Sequence, residues 1–554
     1  MKKNYILFSL LTITIYFTHS VCSAQNVNEW KLPVVIEPVF KKDTFNIVKY
    51  GAVNDGIALN TTSIANAIND CSAKGGGVVL IPNGLWMTGP LELKSNVNLH
   101  LQKNAMLIFT SDKNQYSLVE GNWEGSPAVR NQSPIAGINL ENIAITGKGI
   151  IDGNGDAWRA VKKGKLTGAQ WKKLLASGGV VAEDGKTWFP SEQFNKAAAL
   201  DKPWVLTDGK KVDDYAEHKD FFRPNLVVLT KCKKILLEGV TFQNSAAWGL
   251  HPLMCENLTV RDVYVKNSWY AQNGDGIDVE SCSNVLIENS TFDVGDDGIC
   301  IKSGRDEEGR KRGMPTQNII VRNCVVYHAH GGFVIGSEMS GGAKNLFIEN
   351  CTFIGTDIGL RFKTTRGRGG IVEDVFIRNI VMKDIVEEAI LFDMYYMGKE
   401  PIVSSGEAGD TSPVISFPVT EATPNFRNIY IDKVVCDGAE KAIFIRGLPE
   451  MNINGIHFKN MVIRAQKGID ITEGKDISFK DVTILAVETN PVVKINNSGK
   501  IVIEELSYGS HAELLIDASG GKCTDIKITN TDASNSKSKI KFTGGAKVKS
   551  VEFK

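Results

Sequence analysis

From residue 257 onward the chain repeats one short phrase: Asn or Asp, an aliphatic residue, any residue, a second aliphatic residue. Copies stand at Asn257–Val260, Asn284–Ile287, Asn318–Val321, Asn345–Ile348, Asp374–Ile377 and Asn428–Ile431, with weaker ones at Asp476–Phe479 and Asp525–Ile528. The first five begin 27, 34, 27 and 29 residues apart, and a period in this range marks an array of stacked units. Each unit alternates apolar and polar positions and is bounded by Gly and Asn, the signature of a short strand. No stretch between residues 224 and 400 carries the spacing of a long amphipathic helix, which excludes helical repeats and alternating α/β units. The pattern predicts an all-β chain, a parallel β-helix (a solenoid). Each coil then hydrogen-bonds to the next about 4.8 Å away, and like residues lie above one another.

The β-helix is predicted to form one domain from residue 45 to 554. Helical spacing over residues 61–74 predicts a capping helix on its N-terminal edge, which would otherwise expose a row of backbone groups. The strand pattern breaks at about residues 155–222, a stretch rich in Lys and Gly that carries Trp158, Trp171, Trp188 and Trp204. It reads as an irregular insertion projecting from the coil, with a short helix at Thr167–Ala176. Its indoles have two readings: a wall for sugar stacking, or the insertion's own small core.

Composition changes this picture in three places. Lys and Arg number 63, as do Asp and Glu, and no basic stripe stands out, so nucleic acid is not an expected partner. Lys2 and Lys3, an apolar run from Tyr5 to Phe17 and small residues ending at Ala24 form a signal peptide, residues 1–24, followed by a leader segment at 25–44. The protein is therefore expected to be exported, to the periplasm or beyond; Val21-Cys22 gives a lipid anchor as the lesser reading. No later segment reads as a membrane span, and a monomer is expected. Past Cys22 nine cysteines remain, an odd number that argues against a complete disulfide set. Cys324 and Cys351, in matching phrases, read as buried stacked thiols.

Candidate chemistry lies between residues 273 and 363. Asp275-Gly276-Ile277-Asp278-Val279 and Asp297-Gly298-Ile299-Cys300-Ile301 are near-copies that start 22 residues apart, and Asp296 precedes the second. Aligning the coils by their inward aliphatics sets Ile277 and Val279 against Ile299 and Ile301, then Phe333 and Ile335, then Leu360 and Phe362. Asp275 then stacks beside Asp297, and Asp296 beside His330. Arg361 and Lys363 alternate with Leu360 and Phe362 and so face outward. Carboxylates on neighbouring coils leave room for a sugar edge and a water; an inverting glycosidase holds its acid and base about 6.5–9.5 Å apart. Crowding of three acids is expected to keep one protonated near neutral pH. Arg361 and Lys363, farther along the strip, suit an anionic sugar. Each feature alone is ordinary: an Asp-Asp pair is usually a turn, a lone His a surface residue, and three acids also suit Ca²⁺. Their placement on successive coils gives them weight together.

Asn273-Gly274-Asp275, Asp296-Asp297, Ala329-His330-Gly331 and Arg361-Phe362-Lys363, in that order, resemble the motifs of the polygalacturonase family of pectin-degrading glycoside hydrolases (family 28). Residues 50–56 resemble the family's opening, and the resemblance covers about residues 45–490 apart from the insertion. It implies a right-handed parallel β-helix, hydrolysis of α-1,4-galacturonide linkages with inversion, a pectic polysaccharide or oligogalacturonide as substrate, and neither metal nor organic cofactor. Carried over position by position, it implies Asp296 as general acid, Asp275 and Asp297 as the pair that activates water, and His330 as the residue that tunes the acid. It also implies that Asn273 shapes the site, that Arg361 and Lys363 bind the substrate carboxylate, and that Tyr395 or Tyr396 touches the sugar. The version HGGFVIGSEMSGG at residues 330–342 is closer to the bacterial, exo-acting branch, and an insertion closing one end of a groove fits exo action. Three alternatives stand beside this reading. They are a galacturonidase acting on rhamnogalacturonan fragments, a Ca²⁺-dependent pectate lyase, and a non-catalytic glycan-binding β-helix.

Overall fold

The structure, a computed structural model, describes residues 30–398 and 415–554; the predicted signal peptide lies outside the described residues. From Thr44 to Phe553 the chain winds as a right-handed parallel β-helix, the hand that strand twist favours for parallel crossovers. The central coils carry three short strands each. One coil comprises Glu256–Arg261, Tyr264–Lys266 and Ile277–Glu280, and the next Ser283–Glu288, Thr291–Asp293 and Asp297–Lys302. Later coils fuse the first two strands into one bent strand, as in Ile371–Lys383, and keep the last, as in Glu388–Asp393.

The repeated Asn and Asp have a backbone role. From Asn257 to Asp525, each one that opens the phrase has φ between 51° and 60°. This left-handed region is costly for most L-residues and tolerated by Asn and Asp. Asn289, Asn323, Asn350 and Asn379 form a second such column at the next corner. Several side-chain amides bond one another: Asn318 donates to Asn284 at 3.0 Å, Asn345 to Asn318 at 3.2 Å, and Asn379 to Asn350 at 3.0 Å, while Asn257 accepts from the Ile36 N–H at 3.2 Å. Gly276 and Gly298 recur for a different reason. A Cβ on Gly276 would lie 2.4 Å from the Gly298 carbonyl oxygen, and one on Gly298 would lie 2.5 Å from Val326, so successive coils touch there.

Inside, the observed registry is the one the inward aliphatics predict. Ile277 pairs with Ile299, Ile299 with Phe333, Phe333 with Leu360 and Leu360 with Ile390. Phe362 stacks on Phe392 at 4.3 Å. Cys232, Cys255 and Cys282 form a column, with the Cys255 N–H donating to Cys282 Sγ at 3.3 Å. Cys324 and Cys351 are likewise free, and the nine cysteines among the described residues are all buried and unbridged. The helix Thr61–Ala73 covers the first coils with Ile64, Ala67, Ile68 and Cys71.

Two excursions leave the coil. Between Asp152 and Val227, three short strands pair antiparallel: Val161–Lys162, Val180–Val181 and Thr187–Phe189. The helix Gly168–Ala176 is started by a capping box of Thr167 and Gln170. The tryptophans here pack inward: Trp158 is fully buried edge-on to Tyr116, Trp171 and Trp188 are buried, and Trp204 lies on Phe221. None of the four indoles is exposed; Trp171 and Trp188 pack within the insertion, whereas Trp158 packs on Tyr116 and Ala246 and Trp204 also packs against Trp123 and Trp248, outside it. The second excursion is a hairpin, Leu118–Trp123 with Ser126–Asn131. Its Trp123 stacks on Trp248 at 5.2 Å and its Glu124 pairs with Arg305 at 2.8 Å.

The left-handed corner yields a direct test. Asn345→Val is expected to lower stability by about 1–3 kcal/mol in urea unfolding, whereas Asn345→Gly, which loses only the amide ladder, costs less. Equal losses for the two variants would show that the backbone conformation is not what the residue supplies.

Candidate active site

Asp275 precedes the strand Ile277–Glu280, and Asp297 opens the strand Asp297–Lys302 on the next coil. The Gly276 N–H donates to the Asp297 carbonyl at 2.9 Å, so one backbone hydrogen bond sets the two acids side by side. Carboxylate oxygens of Asp275, Asp296 and Asp297 all lie within 4.8 Å of one another. Asp275 and Asp297 are buried; the Asp296 side chain keeps 21% of its surface open. The open carboxylate is held in place by the N–H groups of Asn273 (3.2 Å) and Asp297 (3.0 Å). His330 Nδ1 lies 3.2 Å from Asp296, and its Nε2 lies 3.7 Å from Asp357. The hydrogen bond to Asp296 raises the pKa of the imidazole, against the effect of burial.

Arg361 and Lys363 do not stand farther along the strip. Lys363 Nζ is 2.7 Å from Asp297 and Arg361 Nη1 is 3.3 Å from it, because their strand lies two coils on, in register through Gly331. Burial alone would push the Asp297 carboxyl up, but Lys363 and then Arg361 outweigh it and hold it well below the usual range. Asp275 goes the other way: burial first, then the nearby Asp278 and Asp296, raise it well above the ordinary value. The two buried acids are thus set apart, Asp275 raised and Asp297 lowered. Of the two tyrosines, Tyr395 is buried beside Arg366 and Arg446, whereas the Tyr396 ring faces Lys363 at 5.0 Å and Arg361 at 5.6 Å. Tyr396 is the one at the site. Asn273 has a left-handed backbone and accepts from Arg223 at 2.7 Å.

Several neighbours have no counterpart in the sequence reading. Asp278 and Lys302 lie fully buried behind Asp275, with Lys302 Nζ 2.9 Å from Asp278, 3.7 Å from Asp275 and 3.7 Å over the Trp248 ring. Strand alternation carries the signal, since Asp278 and Lys302 occupy the same outward row as Arg361 and Lys363. Behind them His251, Glu280 and Arg312 form a second buried ion cluster, at 3.0 and 2.6 Å. Trp269, more than half exposed, lines a cavity of about 340 Å³ with Lys162, Lys165, Asn273, Asp296 and His330.

A partly open carboxylate beside two buried ones, with Lys and Arg supplying charge, on the outer face of a parallel β-helix, defines a carbohydrate-cleaving hydrolase. Residues 165–433 match the family described as Glycosyl hydrolases family 28. The chain is 28% identical to an exo-poly-alpha-D-galacturonosidase from Dickeya chrysanthemi over 451 residues, 79% of this chain and 70% of that protein. It is 27% identical to a probable polygalacturonase from Vitis vinifera over 428 residues, 76% and 74% of the two chains. Among solved structures, an exopolygalacturonase from Thermotoga maritima superposes with a TM-score of 0.63 at 28% identity, covering 86% of this chain and 94% of the other. The chain is a glycoside hydrolase, similar to the polygalacturonases of family 28.

The split between the acids has a measurable consequence. Native Asp275 binds its proton more tightly than the unfolded chain does, so its contribution to stability is present below the ordinary Asp pKa and lost as pH rises through the raised one. Asp275→Asn removes this dependence. Its urea midpoint, relative to the parent protein, is expected to rise as pH increases above the ordinary Asp pKa of about 4. A relative gain that shrinks as pH rises would contradict the assignment.

Proposed function

We propose that the protein is an exported exo-polygalacturonase that hydrolyses the terminal α-1,4-galacturonide bond of pectic chains, with inversion and as a monomer. The observation that carries the reading is the unequal setting of the acids: Asp296 open and held by two N–H groups and His330, Asp275 and Asp297 closed behind it. Asp296 gives its proton to the departing glycosidic oxygen as the bond to the anomeric carbon breaks. A water bonds to that carbon from the side of Asp275 and Asp297, and its proton passes to them. Asp297, held ionised by Lys363 and Arg361, is always ready to accept; Asp275, with its higher proton affinity, is the stronger base once ionised. His330, half open and with a raised pKa, returns a proton to Asp296 between turnovers. Asn273 fixes the acid, and Arg361, Lys363 and Tyr396 face the carboxylate-bearing ring.

Exo action is supported by the two excursions. The hairpin tip reaches from Trp248, on which Trp123 stacks, to Arg305, with which Glu124 pairs. Ala160, Val161, Lys162 and Lys165 wall the Asp296 cavity. Such a site admits chain ends. The cations on Asp297 and beside Asp275 already offset the carboxylate charge that a Ca²⁺-dependent lyase would use for its metal.

Retention is the second reading. Oxygens within 4.8 Å stand nearer the ~5–5.5 Å carboxyl separation of retaining enzymes than the ~6.5–9.5 Å of inverting ones. Against it, Asp297 is engaged by two cations and Asp275 is buried, so neither is free to form a bond to the sugar. Proton NMR of the first product decides: β-galacturonate from the α-linkage means inversion, and α-galacturonate overturns it.

Activity on polygalacturonate is expected to persist in chelator and to release monomer from the outset without the near-ultraviolet absorbance of an unsaturated product. Absorbance gain, or loss of activity in chelator, would indicate a lyase. Asp296→Asn is expected to lose about 10²–10⁴ in kcat; an unchanged rate would leave a glycan-binding protein. Lys363→Met removes the cation that holds Asp297 low, so kcat is expected to fall and the acid limb of its pH profile to move upward. A change confined to KM would assign Lys363 to substrate binding alone.

A further inference from the structure

Arg223 stands where the insertion rejoins the coil, just before Pro224 and the strand Val227–Thr230. Its guanidinium donates to the Asn273 side-chain oxygen at 2.7 Å, to the Gln272 carbonyl at 2.7 Å and to the Ala246 carbonyl at 3.3 Å. All three acceptors are neutral. Among the described residues no carboxylate lies within ion-pair distance of Arg223, whereas Arg361 and Lys363 both pair with Asp297. Burial and then the nearby Arg159 bring the Arg223 pKa down to about 10, against Glu124, Asp296 and Asp275. A cation set in a poorly solvated place without an ion-pair partner is costly. The hairpin holds it there nonetheless. Arg130, its guanidinium 3.9 Å over the Trp123 ring, donates to the Arg223 carbonyl, and Asn131 donates to the carbonyls of Lys219 and Phe222 at 2.7 and 2.9 Å. The turn that Arg223 grips leads directly to Asp275. In it Asn273 keeps a left-handed backbone, φ 53°, and gives its N–H to Asp296 at 3.2 Å. A guanidinium has donors only, so the Asn273 amide must turn its oxygen to Arg223, and its orientation is fixed.

We propose that Arg223 is a positioning residue for the hydrolysis: it clamps the Asn273 turn to the preceding coil and so keeps the Asn273 N–H on the Asp296 carboxylate. This inference rests on the hydrolase reading above and deepens it. Arg223 acts through Asn273 and not on the sugar, because its printed bonds all go to the protein. The backbone ladder between these coils begins at Leu226 with Trp248 and at Gly249 with Asp275. Ahead of it the guanidinium ties three successive coils together, at residues 223, 246 and 272–273. Asp296 carries the proton that the departing oxygen takes, so a small shift of its carboxylate misaligns acid and bond. Arg130 and Asn131 extend the clamp to the hairpin. One connected group of side chains therefore sets both the hairpin beside the site and the acid within it. The point at which the insertion returns to the coil acquires a function: it delivers the clamp.

The test uses the full-length protein on polygalacturonate, with each variant confirmed as folded by circular dichroism. Arg223→Met keeps the length of the side chain and loses its donors. It is expected to lower kcat about 10–100-fold and to leave KM within about threefold. Arg223→Lys keeps the buried cation without the fork and is expected to stay within about threefold of the Met variant in kcat. In an Asn273→Ala background either change at Arg223 is expected to cost less than about threefold, because the residue it acts through is gone. The Lys variant carries the same cycle, so loss of fold in Arg223→Met does not remove the test. A loss confined to KM would make Arg223 a substrate contact, and equal losses with and without the Asn273 side chain would show that it does not act through that residue; either overturns the proposal. No hydrolysis by the parent protein would sink the proposed function. Hydrolysis by the parent with an unchanged kcat in the Arg223 variants would sink this inference alone.

Discussion

Vertical registry between parallel coils is the constraint on which the rest of the molecule depends. Each coil is tied to the next by backbone hydrogen bonds, so a side chain's neighbours are set by its place in the coil and not by its distance along the chain. Asp275 and Asp297 meet because Ile277 lies on Ile299; Lys363 reaches Asp297 because Phe333 lies between Ile299 and Leu360. A slip of one residue would reverse inside and outside on a whole strand. The left-handed asparagines at the corners and the glycines at the coil contacts guard against that slip, which is why they recur more faithfully than the strand residues between them.

On this scaffold the site is assembled as a set of opposed charges in a poorly solvated place. Three carboxylates alone would be strongly destabilising when ionised. Lys363 and Arg361 relieve Asp297, Lys302 is shared between Asp278 and Asp275, and His330 with two N–H groups serves Asp296. The partners are unequal, so the acids are unequal. Their different proton affinities follow from which coil supplies which cation.

Much of this is legible from the chain itself. The recurring phrase and the inward aliphatics yield the coil and its registry, and with them the neighbourhood of Asp275, Asp296, Asp297 and His330. What escapes is whatever depends on distances across the outer face. Arg361 and Lys363 were expected farther along the strip, yet long side chains fold back over two coils to reach Asp297. Asp278 and Lys302 looked like ordinary members of a strand, because alternation tells that a residue faces outward but not what roofs it. Trp269, Lys162 and Lys165 belong to segments without periodicity, where only the folded structure shows which loops converge. The insertion's tryptophans pack inward, some within it and some against the coil, an outcome that composition alone cannot separate from a sugar wall.

The buried cysteines carry a different consequence. The column of Cys232, Cys255 and Cys282 holds free thiols that burial protects from solvent and, for Cys255, raises in pKa, so little thiolate exists to react. Rigidity here comes from stacking and not from sulfur bridges. A chain built this way reaches its final form without help from oxidising catalysts and tolerates a change of redox surroundings, a freedom that small secreted folds stapled by disulfides do not have.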